Sequence, residues 1–249
     1  MSTAGVYVYA IVPADAVLPA DAGGVGGPAA PLRTISEGRV AAVVSDAPQK
    51  LRARRRDLLA HQELLQRLAD DGPVLPMRFG MVAPDEETVY RQLADAGGGH
   101  TAALERISGG VEANVKAFPA QDALAALVAQ DGKVRRLRDE ARRRPSYEAS
   151  LRLGEAVASA LAARAAEAGR RILRELTPLA RETAAGPDVE GCVLNVSFLV
   201  DRAAHEGFRA TAQRFADGHR EHVELRLVSP LPCYSFVTGA SGPARTAGV

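Results

Sequence analysis

The sequence predicts a two-domain α+β protein, and three observations carry that prediction. Residues 6–118 read as strands interspersed with short helices, residues 122–177 read as helix, and the remainder alternates strand, helix, strand. A length of 249 residues suits two domains better than one. Hydrophobic residues at 47% and charged residues at 24% are ordinary for a globular chain and exclude wholesale disorder.

Val6 to Val12 is β-branched and aromatic with apolar residues on both faces, as a central strand requires, and Pro13 ends it. Residues 13–31 are rich in Pro, Gly and small side chains and read as a surface loop. Arg33–Ser36 and Val40–Ser45 flank Glu37-Gly38-Arg39, a hairpin signal. Asp57 opens a helical stripe of Leu58, Leu59, Leu64, Leu65 and Leu68 that stops before Asp71-Gly72-Pro73. Val74–Val82 returns to strand character. Pro84-Asp85-Glu86-Glu87 starts a helix expected to end at Gly97-Gly98-Gly99, followed by a separate short helix over 101–107. From Val111 to Phe118, Val111, Ala113, Val115 and Ala117 share one face, and Glu112, Asn114 and Lys116 the other.

Past Pro119 the period changes. Asp122 is placed to cap a helix through Ala129, and an Arg-rich stretch runs from Lys133 to Arg144. Ser146 caps a helix to Thr177, about 48 Å long at 1.5 Å per residue, with a stripe of Leu153, Val157, Leu161, Ala165, Ala168, Ile172 and Leu176. One small sheet cannot cover so long a stripe, so the 122–141 segment, the N-terminal domain or a partner must cover part of it. Pro178 should break the helix. Gly186-Pro187 turns into a strand over 189–200, Asp201 opens a helix closed by Gly218, and His222–Val228 alternates as a last strand. The domains are therefore placed at 1–119 and 120–238, with a flexible tail at 239–249.

The chemistry these residues exclude is informative. Net charge is +1, from 31 basic and 30 acidic side chains, and aromatics do not interleave with Arg52–Arg56 or Arg142–Arg144; neither nucleic acid nor a lipid membrane is an expected partner. No apolar run approaches a membrane span. Cys192 and Cys233 are the two cysteines, which favours a reducing compartment and excludes a disulfide framework. Gly23-Gly24-Val25-Gly26-Gly27 neither follows a strand directly nor opens a helix, so it reads as a flexible loop, not a phosphate cradle. His219-Arg220-Glu221-His222 has the wrong spacing for a helical metal pair, and His61-Gln62-Glu63 lacks the cysteine half of a zinc site. No nucleophile elbow or acid–base pair is visible, so no catalytic, cofactor-binding or metal residue is assigned and no cofactor is expected.

Three segments carry a resemblance. Val74-Leu75-Pro76-Met77-Arg78-Phe79-Gly80 resembles the VLP(L/M)RFG core of the gas vesicle protein F/L family. Gly110–Lys116 resembles that family's GKVEWxVKV strand, and Leu231–Val237 its GPWPPYSFV segment. The opening strand and Ala60-His61-Gln62-Glu63 fit in the same order, so the resemblance spans about 6–237. Ala113 and Leu231 stand where the family has Trp, and Cys233 where it has Pro.

The resemblance implies an accessory protein of gas vesicles, a minor structural component or assembly factor that is cytoplasmic, associated with the vesicles and not an enzyme. Its partners would be the hydrophobic shell protein and other accessory gas vesicle proteins. It also implies a ferredoxin-like domain in the C-terminal half. The family-motif positions Pro76, Arg78, Phe79, Gly80, Glu112, Lys116, Tyr234 and Phe236 are expected to be mainly structural. Leu75, Met77 and Phe79 would pack on one side, Arg78 would point to the other towards Glu112, and Tyr234 and Phe236 would close the core of one domain against the other. The alternative is a two-domain α+β protein that binds a small molecule or catalyses a reaction at a site illegible in sequence.

Overall fold

The structure, a computed structural model, describes residues 5–120 and 124–237. The chain divides into two compact units, one of residues 1–112 with 230–249 and one of residues 113–229. The cut falls ahead of Ala113, not at Pro119. The reason is hydrogen bonding: the strand Gly110–Pro119 lies between two later strands in the second unit's sheet. The described segment 230–237 correspondingly returns to the first unit. The expected tail, 239–249, lies outside the described residues.

The first unit is an antiparallel sheet in the order β2-β3-β1-β4, with β5 also on β1, built from β1 (Val6–Pro13), β2 (Arg33–Glu37), β3 (Val40–Asp46), β4 (Leu75–Pro76) and β5 (Val82–Ala83). Gly38, at φ 56°, makes the tight β2–β3 turn. Every residue of β3 from Val40 to Ser45 is buried, so both sheet faces are covered. On one face α1 (Arg55–Asp71) packs Leu64, Leu65 and Leu68 against Tyr7, Tyr9, Ala41 and Val43. Alternation sends Ala42 and Val44 to the other face, where α2 (Glu86–Ile107) lies across the strands. The β1–β3 register slips between Val8 and Ala10, so that Tyr7, Tyr9, Ala10 and Val12 all face the α1 side.

Two expectations fail here for physical reasons. The strand expected over 74–82 is two fragments. Between the pairs Ala10↔Pro76 and Tyr7↔Val82, β1 advances three residues and its partner six. The surplus residues bow out of the sheet, with Gly80 at φ 93°. The two helices expected around Gly97-Gly98-Gly99 are one helix. Leu93, His100, Leu104 and Ile107 form one buried stripe on α2, and that packing outweighs the roughly 1 kcal/mol each glycine costs relative to alanine.

The second unit has β6 (Gly110–Pro119), α3 (Leu124–Gln130), α4 (Gly132–Arg143), α5 (Tyr147–Leu176), β7 (Glu182–Ala185), β8 (Leu194–Asp201), α6 (His205–His219) and β9 (Val223–Leu231), with sheet order β7-β8-β6-β9. β7, which pairs antiparallel with β8, was not expected. The Asp122 cap lies outside the described residues. Ser146 caps α5, its hydroxyl accepting from the Ala149 N–H at 3.1 Å, and Pro178 ends the helix in a 3-10 turn over Thr177–Leu179. Gly169 sets α5 over Leu194 and Ala117, and Phe208 of α6 lies 5.2 Å from Phe198 of β8. The α5 stripe divides in two: Ala165, Ala168, Ile172 and Leu176 are buried, whereas Leu153, Val157 and Leu161 are half-buried where α3 and α4 pack.

Candidate functional site

The family-motif positions of the first unit meet a polar network anchored on β1. Tyr7 and Tyr9 are two residues apart in an apolar strand, fully buried, with ring centroids 4.6 Å apart. A buried phenol needs a partner. The Tyr7 hydroxyl accepts from the Gly80 N–H at 3.0 Å and lies 3.1 Å from His61 Nδ1, while His61 Nε2 lies 3.1 Å from the Met77 carbonyl. A carbonyl only accepts, so Nε2 carries the proton, Nδ1 accepts, and Tyr7 donates to it. The relay Gly80 N–H, Tyr7 O–H, His61, Met77 C=O begins and ends on the same bowed-out segment. β1 holds that segment too, through Met77 N–H to Tyr9 C=O at 2.8 Å and Val8 N–H to Met81 C=O at 2.9 Å.

The electrostatics agree with the tautomer. Burial pulls the His61 pKa below its ordinary value, against the opposing hydrogen bond to Met77, which keeps the ring neutral. Burial pushes Tyr7 above the ordinary phenol range, with the phenols of Tyr9 and Tyr234 and the Asp57 carboxylate adding to it. Phe79 packs edge-on against Tyr7 at 6.0 Å and His61 at 5.7 Å. Pro76 is buried in β4, and Arg78 is left exposed.

Tyr9 does the same for the glycine-rich loop. Its hydroxyl accepts from the Val25 N–H at 2.7 Å and lies 2.9 Å from Ser45 Oγ, which donates to the Asp46 carbonyl. Gly26 N–H donates to the buried Asp57 at 3.0 Å. A Cβ on Gly24 would sit 2.5 Å from the Tyr9 hydroxyl, so a glycine is required there. The loop expected to be flexible is tied down at successive residues.

Glu112 departs from its expected role. It is 3% exposed, and its carboxylate accepts from Ser235 N–H at 2.8 Å and Ser235 O–H at 2.7 Å, so its partner is Ser235 and not Arg78. Arg106 donates to the Phe236 carbonyl beside it. Both side chains hold the 3-10 turn Tyr234–Phe236, in which Phe236 is buried and Tyr234 partly exposed. Burial and then the Glu112 charge push the Tyr234 pKa up to about 12. In the second unit Lys116 is half-buried on the β6 face where Asn114 donates to Asn195 and Ser197 and Arg226 lies 4.4 Å over Phe118.

The remaining candidates carry local structure. His219 stacks on Phe215 at 3.9 Å, Cys192 donates to the Leu194 carbonyl, and Cys233 is buried. Among the described residues no group of three or more His, Cys, Asp or Glu is placed to hold a metal ion, and no helix is long and apolar enough to cross a membrane. Two grooves of about 320 and 340 Å³ in the first unit share Pro13 and Pro73, and Tyr7, Tyr9, His61, Glu112 and Tyr234 line neither.

Two of the segments so pinned, 77–81 and 234–236, carry the resemblance, and the comparison with known families settles it. The model of the family described as gas vesicle synthesis protein GvpL/GvpF matches residues 5–238. The chain belongs to the GvpL/GvpF family. It is similar to gas vesicle protein F of Streptomyces sp. (strain CB03234), 38% identical over 93% of this chain and 98% of that protein. It is 32% identical to gas vesicle protein L of the same organism over 92% and 91% of the two chains. The crystal structure of GvpF from Anabaena sp. PCC7120 superposes with a TM-score of 0.76 at 25% identity, over 94% of this chain and 98% of that one. GvpL/GvpF membership makes this a gas vesicle-related protein with an α+β fold. The Tyr7–His61 clamp is what sequence reasoning missed; its signal was two tyrosines and a histidine on otherwise apolar faces.

Proposed function

We propose that this GvpL/GvpF protein is a cytoplasmic accessory protein, a minor structural component or assembly factor, that acts on the hydrophobic shell subunit and works beside other accessory gas vesicle proteins. The observation that carries this reading is the Met77–Gly80 clamp. Buried groups that would serve a catalyst (Tyr7, His61, Glu112) are spent on holding two family-motif segments in shape, and Arg78 stands exposed within one of them. Rigid display of a surface residue suits recognition of a partner. A subunit with large apolar surface needs such a partner before assembly, because exposed patches aggregate. The activity then needs no catalysis, cofactor, nucleic acid or lipid membrane. The strand order β7-β8-β6-β9, with helices between β6 and β7 and between β8 and β9, also supports a ferredoxin-like reading of the second unit.

The test is capture of purified shell subunit by the full chain, together with co-fractionation with floating vesicles. Arg78→Ala should weaken capture about fivefold or more and leave the circular dichroism spectrum unchanged. Cys192→Ala with Cys233→Ala should still support vesicle formation. Vesicles that form normally without the protein, and no capture of the subunit, would refute the reading.

A further inference from the structure

The charge of this chain is balanced overall but not locally. Residues 132–144 hold Lys133, Arg135, Arg136, Arg138, Arg142, Arg143 and Arg144 against Asp139 and Glu140, a net of +5 in a chain whose total is +1. The helical period sorts them. Val134, Leu137 and Ala141 recur at three and four on one side of α4; Val134 is buried, the other two are half-buried, and α3 and α5 pack against the helix. On the opposite side Arg135 and Arg142, and Arg136 and Arg143, form two rows seven residues apart, about 10 Å at 1.5 Å per residue, and all four are exposed. Asp139 falls between the two rows and pairs with Arg138 at 3.3 Å, and Glu140 flanks the Arg136–Arg143 row, so the face keeps an excess of positive charge. Three residues beyond Arg144, α5 opens with Tyr147, 85% exposed, and Leu151, 48% exposed, one turn apart on one side of the helix.

We propose that the outer face of α4, with Tyr147 and Leu151 at its end, is the docking surface for an acidic amphipathic helix of another protein. The charge decides the sign of the partner, and the two rows decide its form: carboxylates repeating at three, four or seven residues along a helix would meet both rows at once. The exposed Tyr and Leu add the apolar anchor that a purely ionic surface lacks. A bilayer fits less well, because the apolar side of α4 is already packed against α3 and α5 and cannot enter lipid. Nucleic acid fits less well, because Tyr147 is the only aromatic in the segment. This surface lies apart in sequence from the Arg78 segment and holds whether or not the shell subunit is the partner.

The test uses the full chain and a designed helical peptide with Glu on one face and Leu on the other, against a scrambled peptide of equal composition. Phosphatidylserine vesicles and duplex DNA are the competing probes. Micromolar binding of the designed peptide is expected, about tenfold tighter than the scrambled one and weakened severalfold between low and physiological salt. Arg135→Gln, Arg136→Gln, Arg142→Gln and Arg143→Gln combined should lower affinity about tenfold or more with the fold intact, and Tyr147→Ser with Leu151→Ser about threefold. Should the combination unfold the chain, the Arg136→Gln, Arg143→Gln pair serves, with a loss of about threefold expected. Equal binding of designed and scrambled peptides, tighter binding to vesicles or DNA, or no effect of the Arg variants would overturn the proposal.

Discussion

The interior of the first unit and the long helices of the second treat polar side chains in opposite ways. In the first, Tyr7, Tyr9, His61, Asp57 and Glu112 are drawn inward and used to hold loops that leave the sheet. In the second, the long helices bury mainly Ala, Ile, Leu and Val and turn most of their cations to water, Arg138 and Arg164 being half-buried. Inward groups fix the shape of a surface without appearing on it, so damage to them should register as lost stability. Outward groups contribute little to stability, because an exposed ion pair such as Arg170–Glu167 gains little attraction in water and is screened by salt. They remain accessible to a partner.

The sharpest way to break that contrast is within α5 itself. Ile172→Glu buries an unpaired charge at a site of zero exposure, with an expected cost of about 4 kcal/mol or more and loss of the second unit's fold. Leu151→Glu, on the exposed end of the same helix, should stay within about 0.5 kcal/mol. Urea unfolding followed by hydrogen exchange of peptides covering 165–176 separates the two; equal costs would mean that the helix is not divided as described.

Next in size is the clamp. Tyr7→Phe removes one oxygen and strands two groups, the Gly80 N–H and His61 Nδ1, at an expected cost of about 2 kcal/mol. The loss should appear as faster exchange over 77–81, with the second unit unaffected. A variant as stable as the parent would show that the segment is held by Phe79 and the β1 hydrogen bonds alone.

The parts that sequence showed and those it hid differ in range. β1, the Gly38 hairpin, the Ser146 cap and the Pro178 stop are local, written in periodicity and in single capping or breaking residues. The clamp was hidden because Tyr7 and His61 are 54 positions apart and nothing local marks which buried phenol meets which ring. The break between β4 and β5 was hidden because it is a register mismatch with β1, a property of two segments. The cut before Ala113 was hidden likewise, since β6 alternates cleanly on its own and only its neighbours reveal the unit it serves. The Glu112 contact was hidden as well: Ser235, 123 positions away, donates both its N–H and its O–H to that carboxylate, while Arg78, the partner expected from sequence, is exposed.

A smaller effect follows from acid. His61 is neutral when folded and its pKa lies below the ordinary histidine value. Between the folded and unfolded values the unfolded chain binds more protons, so stability is fully present above about pH 6.5 and is lost as the pH falls from there towards the folded value. His205 in the second unit shifts in the same direction, also by burial, but against the charge of Glu206 and with a more solvated ring. Acid should therefore loosen the 77–81 segment before the second unit. The His61→Gln variant should lose much of the first unit's pH dependence just below about pH 6.5. An unchanged slope would assign the acid sensitivity elsewhere.

The smallest effect runs the other way and tests why α2 is a single helix. Gly97 and Gly98 lie in its interior with no heavy atom within 4 Å of where a Cβ would stand. Nothing in the packing requires a glycine at either position, so only the backbone freedom of the unfolded chain is at stake. Gly97→Ala and Gly98→Ala should each stabilise the first unit by about 1 kcal/mol, additively, with no change in the second. Thermal unfolding of the single and double variants measures this. If the alanines destabilise instead, the helix is bent or opened at that point in solution, and the burial of Leu93 on one side and of His100 and Leu104 on the other must be achieved by two helices and not one.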